Sequence, residues 1–270
     1  MSLRILHAPW DTQPQEPVRA IAGGPLGLVY GGHYRGTDSL AWELVNTSTE
    51  VISPIGKARS FSRSASSALL APVPNVSMTN ITLFAVVRTR VISAVNQAII
   101  GLGTSTSDRI LLYLNTNKFA MFSGSPVATG QATLTTALTD TNAWFVVVGR
   151  VSSDTLREVW GSSPMSSTLF WETQSNTTSL SLANATAVAV AGYYSSGALV
   201  STYYPDFDIA AAGFFPYALP DAGVHRLLAN LSAWTAHLEP HRRWVLNVTP
   251  TFRAAYLRGS NSVINAGNAL

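Results

Sequence analysis

Asp206 and Asp208 flank Phe207 at alternate positions, the only acidic pair in the chain with that spacing. Two carboxylates facing each other across a sugar-binding cleft can hydrolyse a glycosidic bond. At the entrance of a strand, however, the same residues accept hydrogen bonds from backbone donors, and this structural role is the expectation here. Glu158 and Glu172 fall on different predicted strands, with no local pattern to bring them together. His237 and His241 are four apart, a spacing that binds metal on a helix, but Pro240 interrupts any helix between them. No third ligand lies nearby, so neither a metal nor another cofactor is expected. The chain has no nucleophile elbow, no P-loop and no dinucleotide fingerprint. Gly101-Leu102-Gly103 reads as a turn.

Aromatic residues offer a different chemistry. Tyr193, Tyr194, Tyr203 and Tyr204 bracket the segment 195–202, and Trp160 and Trp171 lie on neighbouring predicted strands. Such rings present flat apolar faces with one polar handle, which suits both sugar stacking and protein contact. The four tyrosines are therefore the candidate glycan-binding residues. The alternative is core packing for the tryptophans and edge or subunit contact for the tyrosines.

The elements that must position these residues are short β-rich runs punctuated by Gly, Ser, Asn and Thr. Predicted strands cover 28–32, 40–45, 58–62, 81–91, 97–103, 109–115, 118–124, 143–151, 156–162, 168–173, 187–194 and 207–215. A dozen strands with turn chemistry between them indicate an antiparallel sandwich. Runs such as Phe-Val-Val-Val and Ile-Ala-Ala-Ala-Gly-Phe-Phe are apolar on both faces, as strands covered on both sides require. One helix stands out. Pro220 and Asp221 open it, with an acidic side chain at the positive end of the macrodipole, and Val224, Leu227, Leu228 and Leu231 form its apolar stripe.

The chain of 270 residues is 47% apolar and only 11% charged, with a formal net charge of +3. So sparse a charge suits a surface that is covered by partners. Of the 17 basic residues 15 are Arg, scattered rather than clustered, which argues against a nucleic-acid surface. Cysteine is absent, so disulfides and thiolate metal sites are excluded. No run approaches a membrane span and no apolar leader opens the chain, so synthesis in a cytoplasm is expected. Residues 1–25, with four prolines and no periodicity, are expected to form an extended arm; residues 236–270 read as a second one.

The order of motifs from about Gly56 to Trp244 resembles the laminin-G-like, concanavalin A-like jelly-roll domains of bacteriophage virion proteins. The segments GKARSFSRSASSALLAP and ITLFAVVRTR are similar to that family's early strands. DRILLYLN, KFAMFSG and AWFVVVGRV are similar to its central strands, and AVAVAGYYSSG to the strand that follows. FDIAAAGFFPYALPDAGVHRLLANLSAW resembles its closing strand-turn-helix element, and HRRW at 241–244 resembles the Arg-rich exit of phage members. Departures are also present: Ala211 stands where many relatives carry an acidic residue, and Pro220 replaces the usual Ser cap. The acidic loop residues that hold calcium in the wider family have no clustered counterpart.

The resemblance implies a two-sheet antiparallel jelly-roll sandwich over residues 26–235, with one short C-terminal helix and the two arms outside it. It also implies a virion setting. The expected role is a non-enzymatic capsid decoration protein, made in a bacterial cytoplasm, that contacts the major capsid protein and copies of itself. Arg4, Trp10 and Arg19 of the first arm and Arg242, Arg243 and Trp244 of the second are the expected contact residues. The alternative is a carbohydrate-binding module on the virion that meets host glycans.

Overall fold

The computed structural model describes residues 27–30, 40, 42–93, 95–104, 108–124, 130–162, 169–175, 184–229, 257–258 and 262–263. For residues 27–30, 169–175, 257–258 and 262–263 it describes the backbone.

Two large antiparallel sheets face each other. The first has the order β13 (Leu169–Ser175), β12 (Leu156–Ser162), β11 (Phe145–Ser153), β6 (Ile81–Thr89), β17 (Phe207–Phe215), β4 (Gly56–Phe61) and β3 (Thr49–Ser53). Strand β17 uses one side twice. Its first residues, Phe207 to Ile209, pair with β4, and Ala211 to Phe214 pair with β1 (Gly27–Tyr30). The second sheet runs β10 (Gln131–Thr133), β9 (Lys118–Gly124), β8 (Arg109–Asn115), β7 (Gln97–Gly103), β14 (Ala185–Val190), β5 (Ala68–Val76) and β2 (Glu43–Val45).

Period-two alternation decides which side chains meet between the sheets. Leu83, Ala85 and Val87 of β6 join Ile110, Leu112, Leu114, Phe119 and Met121 of the second sheet in one core. The intervening Phe84 and Val86 point the other way, into a separate cluster beneath helix α1 (Asp221–Ala229). On β17 the phase slips at a bulge between Ile209 and Ala211, so that Ile209, Ala212 and Phe214 all reach the central core while Ala210, Ala211 and Phe215 face the helix. Both faces of this strand are covered, which explains its continuous apolar run. An acidic residue at 211 would lie in the apolar cluster under the helix.

Helix α1 forms where its residues predict. The Gly223 and Val224 amides donate to the Pro220 carbonyl at 2.8 and 3.1 Å, and Val224, Leu227 and Leu228 are buried against the first sheet. Three such side chains contribute on the order of 5 kcal/mol by leaving water. Asp221 accepts an ion pair from Arg150 at 2.8 Å; Arg150 also meets Glu158 at 2.6 Å and lies over the Trp160 ring. Burial by itself would lower the Arg150 pKa, but Glu158 and Asp221 outweigh it and raise it. Leu231, the last residue of the predicted stripe, lies outside the described residues.

The structure corrects several expected boundaries. Residues 49–53 and 68–76 form β3 and β5, which the sequence reading left out. Pro72 and Pro74 argue against a strand, yet β5 has a partner on its second flank only at Ala68 to Leu70. Beyond Leu70 the prolines therefore cost no ladder bond on that side. The expected strand 187–194 ends at Val190, because Ala191 adopts a left-handed backbone (φ 60°) that turns the chain away. Gly101 to Gly103 lies within β7, as the expected strand 97–103 has it and not in the turn also read there. The first arm, the contact residues Arg4, Trp10, Arg19, Arg242, Arg243 and Trp244, and the pair His237 and His241 lie outside the described residues. Within the second arm, Leu257–Arg258 and Ser262–Val263 form a two-stranded ladder, β18 and β19.

Candidate functional site

The outer face of the second sheet carries a third cluster, richer in aromatic and polar side chains than the other two. Register places Arg109, Leu111 and Tyr113 of β8, Ala120 and Phe122 of β9, and Gln131 and Thr133 of β10 on that face. Gly101 and Gly103 of β7 complete it on the other flank. Against it lies a small hairpin, β15 (Tyr194–Ser195) with β16 (Ala198–Leu199), followed by a 3₁₀ turn at Ser201–Tyr203. Ser196 and Gly197 both have positive φ (50° and 85°), as the two central residues of a type I′ hairpin turn require.

The two glycines let this hairpin sit directly on the sheet. A Cβ at Gly101 would stand 2.4 Å from the Tyr193 Cβ, and one at Gly103 would stand 2.6 Å from the Tyr194 carbonyl oxygen. Ala187 and Ala189 of β14, paired with Gly103 and Gly101, extend the low strip.

Arg109 is the hub. Its Nη1 donates to the Tyr193 hydroxyl at 2.6 Å, and its guanidinium lies 5.2, 5.3 and 5.7 Å from the ring centres of Phe122, Tyr193 and Tyr203. Tyr203 meets Tyr193 edge-on at 4.9 Å and Tyr113 at 6.5 Å. The Tyr113 hydroxyl donates to Gln131 Oε1 at 2.6 Å, and Gln131 Nε2 donates in turn to the Thr133 hydroxyl at 2.5 Å. Tyr113 and Tyr193 are buried, whereas Arg109, Phe122, Gln131, Thr133 and Tyr203 remain half-exposed. The result is a patch of ring faces, one amide and one cation that solvent can reach.

Burial raises the Tyr113 phenol well above its ordinary pKa; the nearby Tyr203 adds to this and Arg109 opposes it. Burial also raises Tyr193, against the pull of Arg109 and its hydrogen bond. Both phenols therefore stay neutral at physiological pH, where they can stack and hydrogen-bond but not act as bases. Among the described residues the cluster contains no carboxylate and no thiol, and no three acidic or histidine side chains group as a metal site.

Of the four expected glycan-binding tyrosines, the structure brings Tyr193 and Tyr203 together. Tyr194 is half-buried on the hairpin and Tyr204 is buried, and among the described residues neither ring joins the contacts around Arg109. Arg109, Tyr113, Phe122 and Gln131 were not singled out from sequence. Their signal was present in Arg-Ile-Leu-Leu-Tyr-Leu-Asn, where every second residue from Arg109 belongs to a face that is not purely aliphatic. Trp160 is core, beneath the helix.

The acidic pair has another occupation. Asp208 is fully buried and takes Arg88 Nη2 at 2.5 Å and Arg90 Nε at 3.4 Å. Asp206 accepts from the Arg63 amide at 3.2 Å and the Ser62 hydroxyl at 3.3 Å. These carboxylates tie strand ends together: Asp206 takes a backbone donor, the role expected of both, whereas Asp208 takes arginine side chains. Glu158 pairs with Arg150, and the register sets it opposite Thr173 rather than Glu172. His225 is exposed on the helix.

No protein-family model matches the sequence, and no curated protein matches it either. Solved structures do share the fold. The binding domain of botulinum neurotoxin serotype D/C aligns with a TM-score of 0.57 at 8% identity, over 77% of this chain and 52% of that one. The binding domain of Paraclostridial mosquitocidal protein 1 gives 0.54 at 12% identity, over 74% and 51%. The chain thus spans about half the length of these toxin domains. Domain 4 of AbnA, an extracellular arabinanase from Geobacillus stearothermophilus solved with arabinotriose, gives 0.53 at 13% identity over 75% of this chain and 97% of that one. All three likenesses concern the fold. This chain is an all-β protein of two packed antiparallel sheets, as the motif resemblance implied. The virion setting rests on the sequence motifs alone.

Proposed function

We propose that the protein is a non-catalytic carbohydrate-binding sandwich whose site is the outer face of the second sheet. The observation that carries this reading is the half-exposed patch of Tyr203, Phe122, Arg109 and Gln131, held in place by the buried Tyr113 and Tyr193. Aromatic faces take the apolar side of a sugar ring, while the amide and guanidinium bond its hydroxyls. The likeness to an arabinanase domain solved with an arabinose oligosaccharide supports the reading, since almost the whole of that domain is matched. The engagement of Asp206 and Asp208 with arginines supports binding without hydrolysis.

A glycan array with the wild-type protein and Tyr203→Ala tests it. Retention of a defined set of glycans, weakened about tenfold by the substitution, is expected. No retained glycan, or retention unchanged in Tyr203→Ala, overturns it. The setting we propose for this binding is a virion surface, supported by the phage-like closing motif and the sparse charge. Deleting residues 1–25 should then leave the body folded but abolish incorporation into particles; normal incorporation would remove the role of that arm.

A further inference from the structure

Among the described residues, Arg109 is a cation without an ion-pair partner. Arg88 and Arg90 lie on Asp208, and Arg150 lies on Glu158 and Asp221. Arg109, by contrast, makes one hydrogen bond, to a neutral phenol, and no ion pair among the described residues. Its Nε is buried without a hydrogen-bond partner. Around it stand Phe122, Tyr193, Tyr203 and Tyr113, none of them charged, and Ser195 of the hairpin above keeps a buried hydroxyl without a partner as well.

Desolvating a charge without an anion is costly, and ring faces offset that only in part. An arriving carboxylate removes the imbalance. The guanidinium fork matches it with parallel hydrogen bonds, which no sugar hydroxyl can reproduce. The half-exposed rings of Phe122 and Tyr203 stand 5.2 and 5.7 Å from that cation, close enough for the body of the same sugar residue to rest on one of them.

We propose that the site selects saccharides carrying a carboxylate, of the sialic or uronic acid class, with the acid group docked on Arg109 and the sugar ring against Tyr203 or Phe122. This rests on the saccharide-binding reading above. The decisive comparison uses the intact wild-type chain and paired probes: sialyllactose against lactose, and oligogalacturonate against its methyl ester. The acidic member of at least one pair should bind about tenfold more tightly, and its advantage should shrink as salt rises from about 0.05 M to about 1 M. Arg109→Gln should abolish the advantage and Arg109→Lys should keep part of it, with the hairpin checked by near-ultraviolet circular dichroism. Equal binding of acid and ester, or preference for neutral sugars, overturns this inference and leaves the proposed function standing. An advantage unchanged in a folded Arg109→Gln also overturns it. Binding to no glycan of either kind overturns both.

Discussion

Replacing Gly101 by alanine should lift the hairpin off the second sheet and disable the site without unfolding the body. The new methyl would stand 2.4 Å from the Tyr193 Cβ and 2.6 Å from Leu111 Cδ2. The leucine methyl can swing aside, but a Cβ moves only with its backbone. Restoring ordinary contact at 3.4 Å takes a shift of about 1 Å at the base of the hairpin. A shift of that size along the Arg109–Tyr193 hydrogen bond would carry it from 2.6 Å out of hydrogen-bonding range. Overpacking of this kind costs about 1–3 kcal/mol, and the lost bond to a charged donor about 1.5–3. If the whole body bore 2 kcal/mol of this, its melting temperature would fall by about 4–8 °C. Relief through the hairpin alone predicts a smaller fall together with new protease sensitivity near Ser196 and Gly197. Denaturation, limited proteolysis and glycan binding on one preparation separate the two. Unchanged binding with a stability loss below about 0.5 kcal/mol would refute the argument that glycine is required for this close approach.

Four further outcomes follow from the same geometry. Asp208→Asn should lower stability by about 2–4 kcal/mol, because Arg88 and Arg90 lose their shared carboxylate, while any glycan binding persists; chemical denaturation checks the first part. Tyr113→Phe leaves Gln131 Oε1 without its donor, which should cost about 1–2 kcal/mol in the same assay. Gly149→Ala drives a methyl to within 2.5 Å of the Met121 sulfur between the sheets, and methionine's flexibility should hold the loss to about 1–2 kcal/mol. Because burial raises the phenols of Tyr113, Tyr193 and Tyr204, the folded chain holds those protons more tightly than the unfolded chain does. Their stabilising effect is complete below the ordinary tyrosine value of about 10 and is lost as pH rises from there towards the raised values. Denaturation midpoints should therefore decline above about pH 10, in step with a delayed tyrosinate absorbance.

Sequence alone revealed strands wherever one rule governed the local pattern. In β7, β8, β9 and β17 uninterrupted apolar or alternating runs end at turn residues, and their observed limits agree with the expected ones. Strand β5 was hidden because Pro72 and Pro74 are permitted only by the short reach of β2, a fact of register between distant segments. The site was half legible. Tyr193 and Tyr203 stand out because they flank a turn, but their relation to Arg109, separated by 84 residues from Tyr193, depends on the left-handed Ala191 folding the chain back over β7. The structural role of Asp208 depends likewise on Arg88 and Arg90, which β6 delivers from more than a hundred residues away.

The position of β17 also governs how the protein comes off the ribosome. This strand lies between β6 and β4, yet it is among the last parts of the body to be synthesised. Until Phe207–Phe215 emerges, two flanking strands present open hydrogen-bonding edges and the first sheet cannot close. Unpaired edges of this kind favour self-association until β17 is in place. Products truncated before Phe207 should accumulate as insoluble material, and a pause in translation just ahead of it would be harmful where one after Ala229 would not.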